Sequence, residues 1–209
     1  MSVFNIYLLR HGELMQSGIL CGRTDIALSS IGQQQLHVAA QRLPEISQCF
    51  SSPMMRCRTF AEDYCHQNGL SLQVVSELQE MNFGDWDGES YQTLWQLKRN
   101  TPSLGDFWQN PWQHQPPNGE AMLNFTQRVE RFWYGLLARL EQVKPGQQQQ
   151  GNILVVSHGG VIRYILACVL GLPMPSVNHM TNIDVPYGAL IQLQVVIDDS
   201  GKAWPKLML

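Results

Sequence analysis

Two hydrophobic patterns alternate along the chain. Short strand-forming runs rich in apolar residues occur at Asn5–Leu9, Ile153–Val156 and Ala189–Ile197; only Ile153–Val156 is unbroken, as a strand buried on both faces would be. Shorter candidates lie at Gln48–Ser51 and Leu72–Val75. Between them are stretches of helical period. Ser30–Leu43 is introduced by Ser29 as N-cap and followed by Pro44, and Met54–Gln67 is stopped by Asn68-Gly69. Tyr91–Arg99, Ala121–Gln142 (ending near Pro145) and Val161–Leu170 complete the helical set. Lys202–Leu209 is a tail able to add an edge strand. Strand and helix in alternation predict an α/β fold, a three-layer αβα sandwich around a mostly parallel sheet. No repeat or linker divides residues 1–209, so a single domain is expected. Thr101–Gly119, rich in Pro, Asn and Trp and without period, reads as an irregular, lid-like excursion. Gly146–Gly151, with its run of Gln, reads as a solvated loop.

Composition narrows the function classes. The hydrophobic fraction of 44% over 209 residues suffices for one sizeable core. A net charge of −3 gives no basic surface for nucleic acid or anionic membrane. No apolar run approaches the roughly 20 residues of a membrane span, and Arg10 interrupts the first one too early for a signal peptide. Five Cys without C-x-x-C spacing (Cys21, Cys49, Cys57, Cys65, Cys168) argue against a disulfide framework or zinc site. They fit a reducing compartment, the cytoplasm, with Cys57, Cys65 and Cys168 as core filler.

Chemistry concentrates where apolar runs end. Arg10-His11-Gly12 closes one run and Ser157-His158-Gly159-Gly160 another. Ligands of open α/β sheets bind beyond the carboxyl ends of the strands. A neutral imidazole can attack phosphorus, and adjacent cations such as Arg10 favour the neutral form. The planar fork of Arg10 can grip two phosphate oxygens. Gly159-Gly160 opens a helix whose backbone N–H groups favour anions, so His158 and the Gly159 amide can donate to phosphoryl oxygens. In Ser51-Ser52-Pro53-Met54-Met55-Arg56-Cys57, a cation stands in the first turn of a helix, where the dipole disfavours it unless an anion binds there. Within Leu78–Gly88, Glu80 lies between Leu78, Met81 and Phe83, surroundings in which a carboxyl can supply the proton that leaving-group departure needs. Asp85 and Asp87 fit turn and cap chemistry better.

Together these motifs resemble the histidine phosphatase superfamily, in its phosphoglycerate-mutase-like branch. The resemblance runs from Leu8 to about Gly160. It rests on Leu9-Arg10-His11-Gly12-Glu13, then Gly22-Arg23-Thr24-Asp25 and Leu28-Ser29-Ser30-Ile31-Gly32, then Ser51–Cys57, Leu78-Gln79-Glu80 with Phe83–Gly88, and Ser157–Gly160, in the family's order. It implies a phosphoglycerate-mutase-like fold. It implies His11 as the phosphorylated nucleophile and Glu80 as general acid, then base. Arg10, Arg56, His158 and the Gly159 amide would hold the phosphoryl oxygens, two Arg with a protonated His neutralising charge. Arg23 and Ser17 are implied as further substrate contacts, and no metal or other cofactor is required. Ser17 stands where Asn is frequent, Phe60 where Thr is usual (Thr59 precedes it), and Asp87 where Glu is frequent. Glu13 is expected to make structural hydrogen bonds behind the site.

From Glu80 to Leu97 there is no Lys or Arg, and Lys98 and Arg99 come only at a helix end. A mutase must hold a second anion, so this favours a monophosphatase acting on a small phosphate ester with a neutral leaving group. Trp86, Trp95, Phe107, Trp108 and Trp112 either stack on an aromatic base or cover the core. Glu80-Met81 followed by Phe83–Trp86, and the short chain, resemble the α-ribazole phosphatases of cobalamin nucleotide-loop assembly. The alternatives are a broad-specificity phosphatase, a phosphoglycerate mutase, and a non-catalytic phosphoprotein-binding module.

Overall fold

The structure, a computed structural model, describes residues 1–97, 102–142, 150–175 and 178–209. Its sheet has six strands: β1 (Ser2–Arg10), β2 (Gln48–Ser51), β3 (Leu72–Val74), β4 (Gln150–Ser157), β5 (Leu190–Ile197) and β6 (Ala203–Leu207). The order is β3-β2-β4-β1-β5-β6. The first four in that order are parallel, β5 runs antiparallel to β1, and β6 closes the edge antiparallel to β5.

Alternate residues of β1 serve opposite faces. Phe4, Ile6 and Leu8 join the core beneath α5 (Met122–Glu141) and α6 (Gly159–Val169), through Phe125, Val129, Trp133 and Ile165. Tyr7 and Leu9 pack with Leu36 and Ala39 of α1 (Ser30–Ala40) and with Cys57, Ala61 and Cys65 of α2 (Met55–Asn68). The fold is thus the three-layer αβα sandwich the alternating pattern predicts. Ser29 caps α1 by accepting from the Gly32 amide at 3.0 Å, and Gly69 ends α2 in the left-handed region at φ 66°. No described helix is long and apolar enough to cross a membrane.

Three expectations need correcting. The 101–119 excursion is not wholly irregular: beyond α3 (Tyr91–Gln96) it contains α4 (Leu104–Gln109), started by a capping box between Ser103 and Asp106 and anchored by buried Leu104 and Phe107. α3 stops three residues short of Arg99, and Lys98, Arg99 and Thr101 lie outside the described residues. Gln150 and Gly151, expected in a loop, pair with Val3 and Phe4 as the start of β4, while residues 146–149 lie outside the described residues.

Strand register aligns the ends that carry the chemistry. Arg10 is opposite Ser157, and Ser51 is opposite Val156. Three parallel strands therefore end at one rim, where His11, His158 and Ser52 step off it together.

Candidate active site

His11 and His158 meet at that rim with ring centroids 5.2 Å apart, edge to face. His11 Nδ1 lies 2.8 Å from the carbonyl of Gly12, an acceptor only, so Nδ1 carries the proton and Nε2 keeps a lone pair. Burial, with Arg56 and Arg10 adding, holds this imidazole well below the ordinary histidine range; the Gly12 bond pulls the other way. Gly12 itself touches the backbone of Gly32, where a Cβ would stand 2.1 Å from the Gly32 oxygen. A side chain there would push α1 off the His11 turn.

Arg56 is wholly buried in the first turn of α2. Its Nε donates to His158 Nδ1 at 3.2 Å, and its two Nη atoms donate to the carbonyls of Thr24 and Gly22. Those carbonyl dipoles offset its position at the positive end of a helix. The 22–24 turn that presents them is held by Asp87, which accepts from the backbone N–H groups of Gly22, Arg23 and Thr24 and from the Thr24 hydroxyl. Asp85 accepts from the Asn118 side chain. Both Asp residues make the turn chemistry expected of them.

His158 Nε2 lies 2.7 Å from the hydroxyl of buried Ser52. Because Nδ1 accepts from Arg56, the proton is on Nε2. Burial first, then Arg56 and His11, push the His158 pKa well below its usual value. The protonated His158 expected from the sequence is therefore corrected: a cation cannot hold a second cation's N–H against its own ring nitrogen in a dry site, and the imidazole is neutral.

Glu80 is buried beside Met81, and its carboxylate accepts from the amide of Met81 and from the amide of Gly160 in α6, each at 2.9 Å. Gly160 makes room for it; a Cβ there would stand 2.3 Å from Oε1. The segment is clamped from behind by Arg128 of α5, which donates to the carbonyls of Glu77, Gln79 and Glu80 and pairs with Glu120 at 2.7 Å.

Arg10 donates through Nη1 to the carbonyl of Val185, lies 4.1 Å over the ring of Tyr187, and keeps a buried Nε without a partner among the described residues. Arg23 donates to the Gln79 side chain. Ser17 is exposed, one residue before Gly18, whose carbonyl accepts from the amide of Tyr91. Glu13 accepts from the Ser29 hydroxyl, behind the site as expected. The structure thus gathers His11, Arg10, Arg56, Glu80, His158 and Gly159 at one place and keeps Ser17 on an exposed loop.

Three residues of the site carry no motif. Tyr187 stands 5.5 Å from His11. Tyr91 shares the electrostatic surroundings of Tyr187, Arg10, Glu80 and Arg163; burial pushes its hydroxyl pKa up. Arg163, on α6, donates to the carbonyl of Ile183 at 2.7 Å. A cation near a helix start was the signal that singled out Arg56, and Arg163 carries a weaker form of it. Of the two readings left open for the aromatic residues, covering the core is the one the structure favours. Phe107 and Trp86 are buried against each other and Phe83, and Trp108 and Trp112 pack partly buried on that core. Of the rings expected to stack on a ligand only Trp95 is exposed, and its edge abuts Gly105 of α4.

The family model of the histidine phosphatase superfamily (branch 1) matches residues 6–202. The chain belongs to that superfamily. As a histidine phosphatase it is an enzyme that hydrolyses phosphate esters. It is 34% identical over 179 residues to the adenosylcobalamin/alpha-ribazole phosphatase of Escherichia coli (strain K12), covering 83% of each chain. It is 26% identical over 184 residues to the glucosyl-3-phosphoglycerate phosphatase of Mycobacterium tuberculosis (strain ATCC 25618 / H37Rv), covering 85% of this phosphatase and 81% of that one. The solved structure of the alpha-ribazole phosphatase from Shigella flexneri superposes with a TM-score of 0.75 at 29% identity, covering 98% of this chain and 95% of the other.

Proposed function

We propose that this histidine phosphatase is a metal-independent phosphomonoesterase that works through a phosphohistidine on His11. The observation that carries the reading is the fixed tautomer of His11. With Nδ1–H given to Gly12 and the ring held neutral, Nε2 is the atom able to attack.

The reaction then has two halves. His11 Nε2 attacks phosphorus as the bond to the ester oxygen breaks, and Glu80 passes a proton to the departing oxygen. The Glu80 carboxylate next takes a proton from water, whose oxygen attacks phosphorus as the P–N bond breaks. Orthophosphate leaves and His11 is restored. Arg10, the N–H groups of Arg56 not used by Gly22, Thr24 and His158, and the Gly159 amide hold the phosphoryl oxygens. His158 joins them by exchanging Ser52 for a phosphoryl oxygen. Charge neutralisation falls to guanidinium groups, because His158 is neutral.

For substrate, we propose α-ribazole 5′-phosphate. Two supports are the 34% identity to a phosphatase of that name and two exposed rings, Tyr91 and Tyr187, beside the pocket rather than the Trp cluster. Comparing kcat/KM for α-ribazole 5′-phosphate, 3-phosphoglycerate and simple nucleotides tests this. A preference of at least about tenfold for the ribazole ester is expected. Equal rates on all would make it a broad-specificity phosphatase, and net interconversion of phosphoglycerates would make it a mutase. Binding of phosphopeptides without hydrolysis of any ester would remove the enzymatic mechanism altogether.

A further inference from the structure

We infer that Arg163 is a further phosphoryl-binding residue, which together with Arg10 forms a paired guanidinium clamp over Gly159. The inference rests on the phosphatase reading of the site. It begins from a deficit. With His158 neutral and Arg23 tied to the Gln79 side chain, the charge that the motifs bring to a phosphoryl dianion comes chiefly from Arg10 and Arg56. Arg56 spends three of its five N–H groups on two carbonyls and His158.

Arg163 lies one helical turn beyond Gly159 on α6. Long side chains on helices lean back toward the N-terminus, and this one does: its Nη1 stands 3.0 Å from the point a Cβ on Gly159 would occupy. Arg10 Cζ and Nε each stand 3.4 Å from the same point. Two like charges therefore meet over one glycine, at the amino end of a helix that opposes cations too. Each is tethered to a carbonyl of one loop, Arg163 to Ile183 and Arg10 to Val185, two residues apart. The buried Nε of Arg10 lies beside this point with no acceptor among the described residues. Cations pinned together, with an open donor beside them and helix amides beneath, make a place suited to an anion. The phosphoryl group is the anion this place would receive, since the Gly159 amide and His158 are the adjoining groups. The Arg163 side chain is anchored on Ile183 and a guanidinium keeps its protons, so it contributes to holding the group rather than to proton transfer.

Arg163→Gln and Arg163→Lys, assayed with p-nitrophenyl phosphate and with inorganic phosphate as competitive inhibitor, test this. The Gln variant is expected to weaken phosphate inhibition by about tenfold to a hundredfold and to raise KM in parallel. The Lys variant, with a charge but no fork, is expected to fall between. Far-ultraviolet circular dichroism and urea midpoints are expected to match the parent protein. An inhibition constant within about twofold of the parent in both variants would overturn the inference. So would an effect confined to esters with a second acidic group, which would place Arg163 on the leaving group. A lowered urea midpoint with unchanged phosphate binding would reduce it to tethering the 183–185 loop, and would also overturn it. Failure of the parent protein to hydrolyse any ester would instead sink the phosphatase reading beneath it.

Discussion

Single atoms set the chemistry at this rim. Gly160 is needed because Glu80 occupies the space of its missing side chain. Gly160→Ala is expected to displace the carboxylate, lowering kcat while costing about 1–3 kcal/mol of stability; kinetics and urea unfolding of one sample check both. Glu80→Gln is expected to slow esters with poor leaving groups by about 10²–10⁴-fold and activated aryl phosphates far less. Equal loss on both would remove Glu80 as the leaving-group acid. In the proposed mechanism the pH profile is set by His11. Its pKa is lowered, so the nucleophile stays neutral as pH falls below 6.5, and the acid limb of kcat/KM is expected to lie well below that value. These residues were legible because each departs from a local rule: His at strand ends, Gly at a helix start, Arg in a first turn. Arg163 and Tyr187 were not, because an Arg deeper in a helix and a Tyr in a turn break no rule until the 183–188 loop folds against β1.

At the scale of elements, α5 does more than cover the sheet. Its Arg128 binds three carbonyls of the acid segment and the half-buried Glu120 carboxylate. Arg128→Leu would leave that carboxylate with no cation and only the Asn82 amide as donor, and would free the 77–80 backbone. A loss of about 3–5 kcal/mol in urea unfolding is expected, along with reduced kcat. The strands and long helices were readable from periodicity, since each exposes or buries a regular face. α4 was not: six residues are too few for a period, and the flanking Pro and Asn masked its Ser103–Asp106 box. The same segment explains the Trp cluster. Once α4 brings Phe107 onto Phe83 and Trp86, those rings meet each other and have no free face for a ligand.

At the scale of the molecule, the site depends on a long-range pairing. β4 inserts between β2 and β1, setting His158 beside His11 across 147 residues of chain. Alternating elements announce a parallel sheet but not its strand order, so two strand-end histidines could be nominated without their contact being derivable. The fold also imprints an acid sensitivity. His179 is fully buried, neither ring nitrogen has a partner among the described residues, and burial, with Arg163 adding, lowers its pKa from 6.5 to about 4. Above 6.5 it is neutral folded or unfolded. Between 6.5 and 4 the unfolded chain binds a proton that the folded one refuses, so stability falls by about 3 kcal/mol as pH drops through that window. Buried His11 and His158 act in the same sense. His179→Leu is expected to flatten part of that slope in urea midpoints taken from pH 7 to pH 4. The proposed mechanism turns on one chemical event, the transfer of a phosphoryl group to Nε2 of His11. Rapid quench of a single turnover with a labelled phosphate ester observes it directly. An acid-labile, base-stable phosphoryl adduct mapping to His11, absent in His11→Ala, is the predicted result; turnover with no such adduct, or undiminished turnover by His11→Ala, would contradict it.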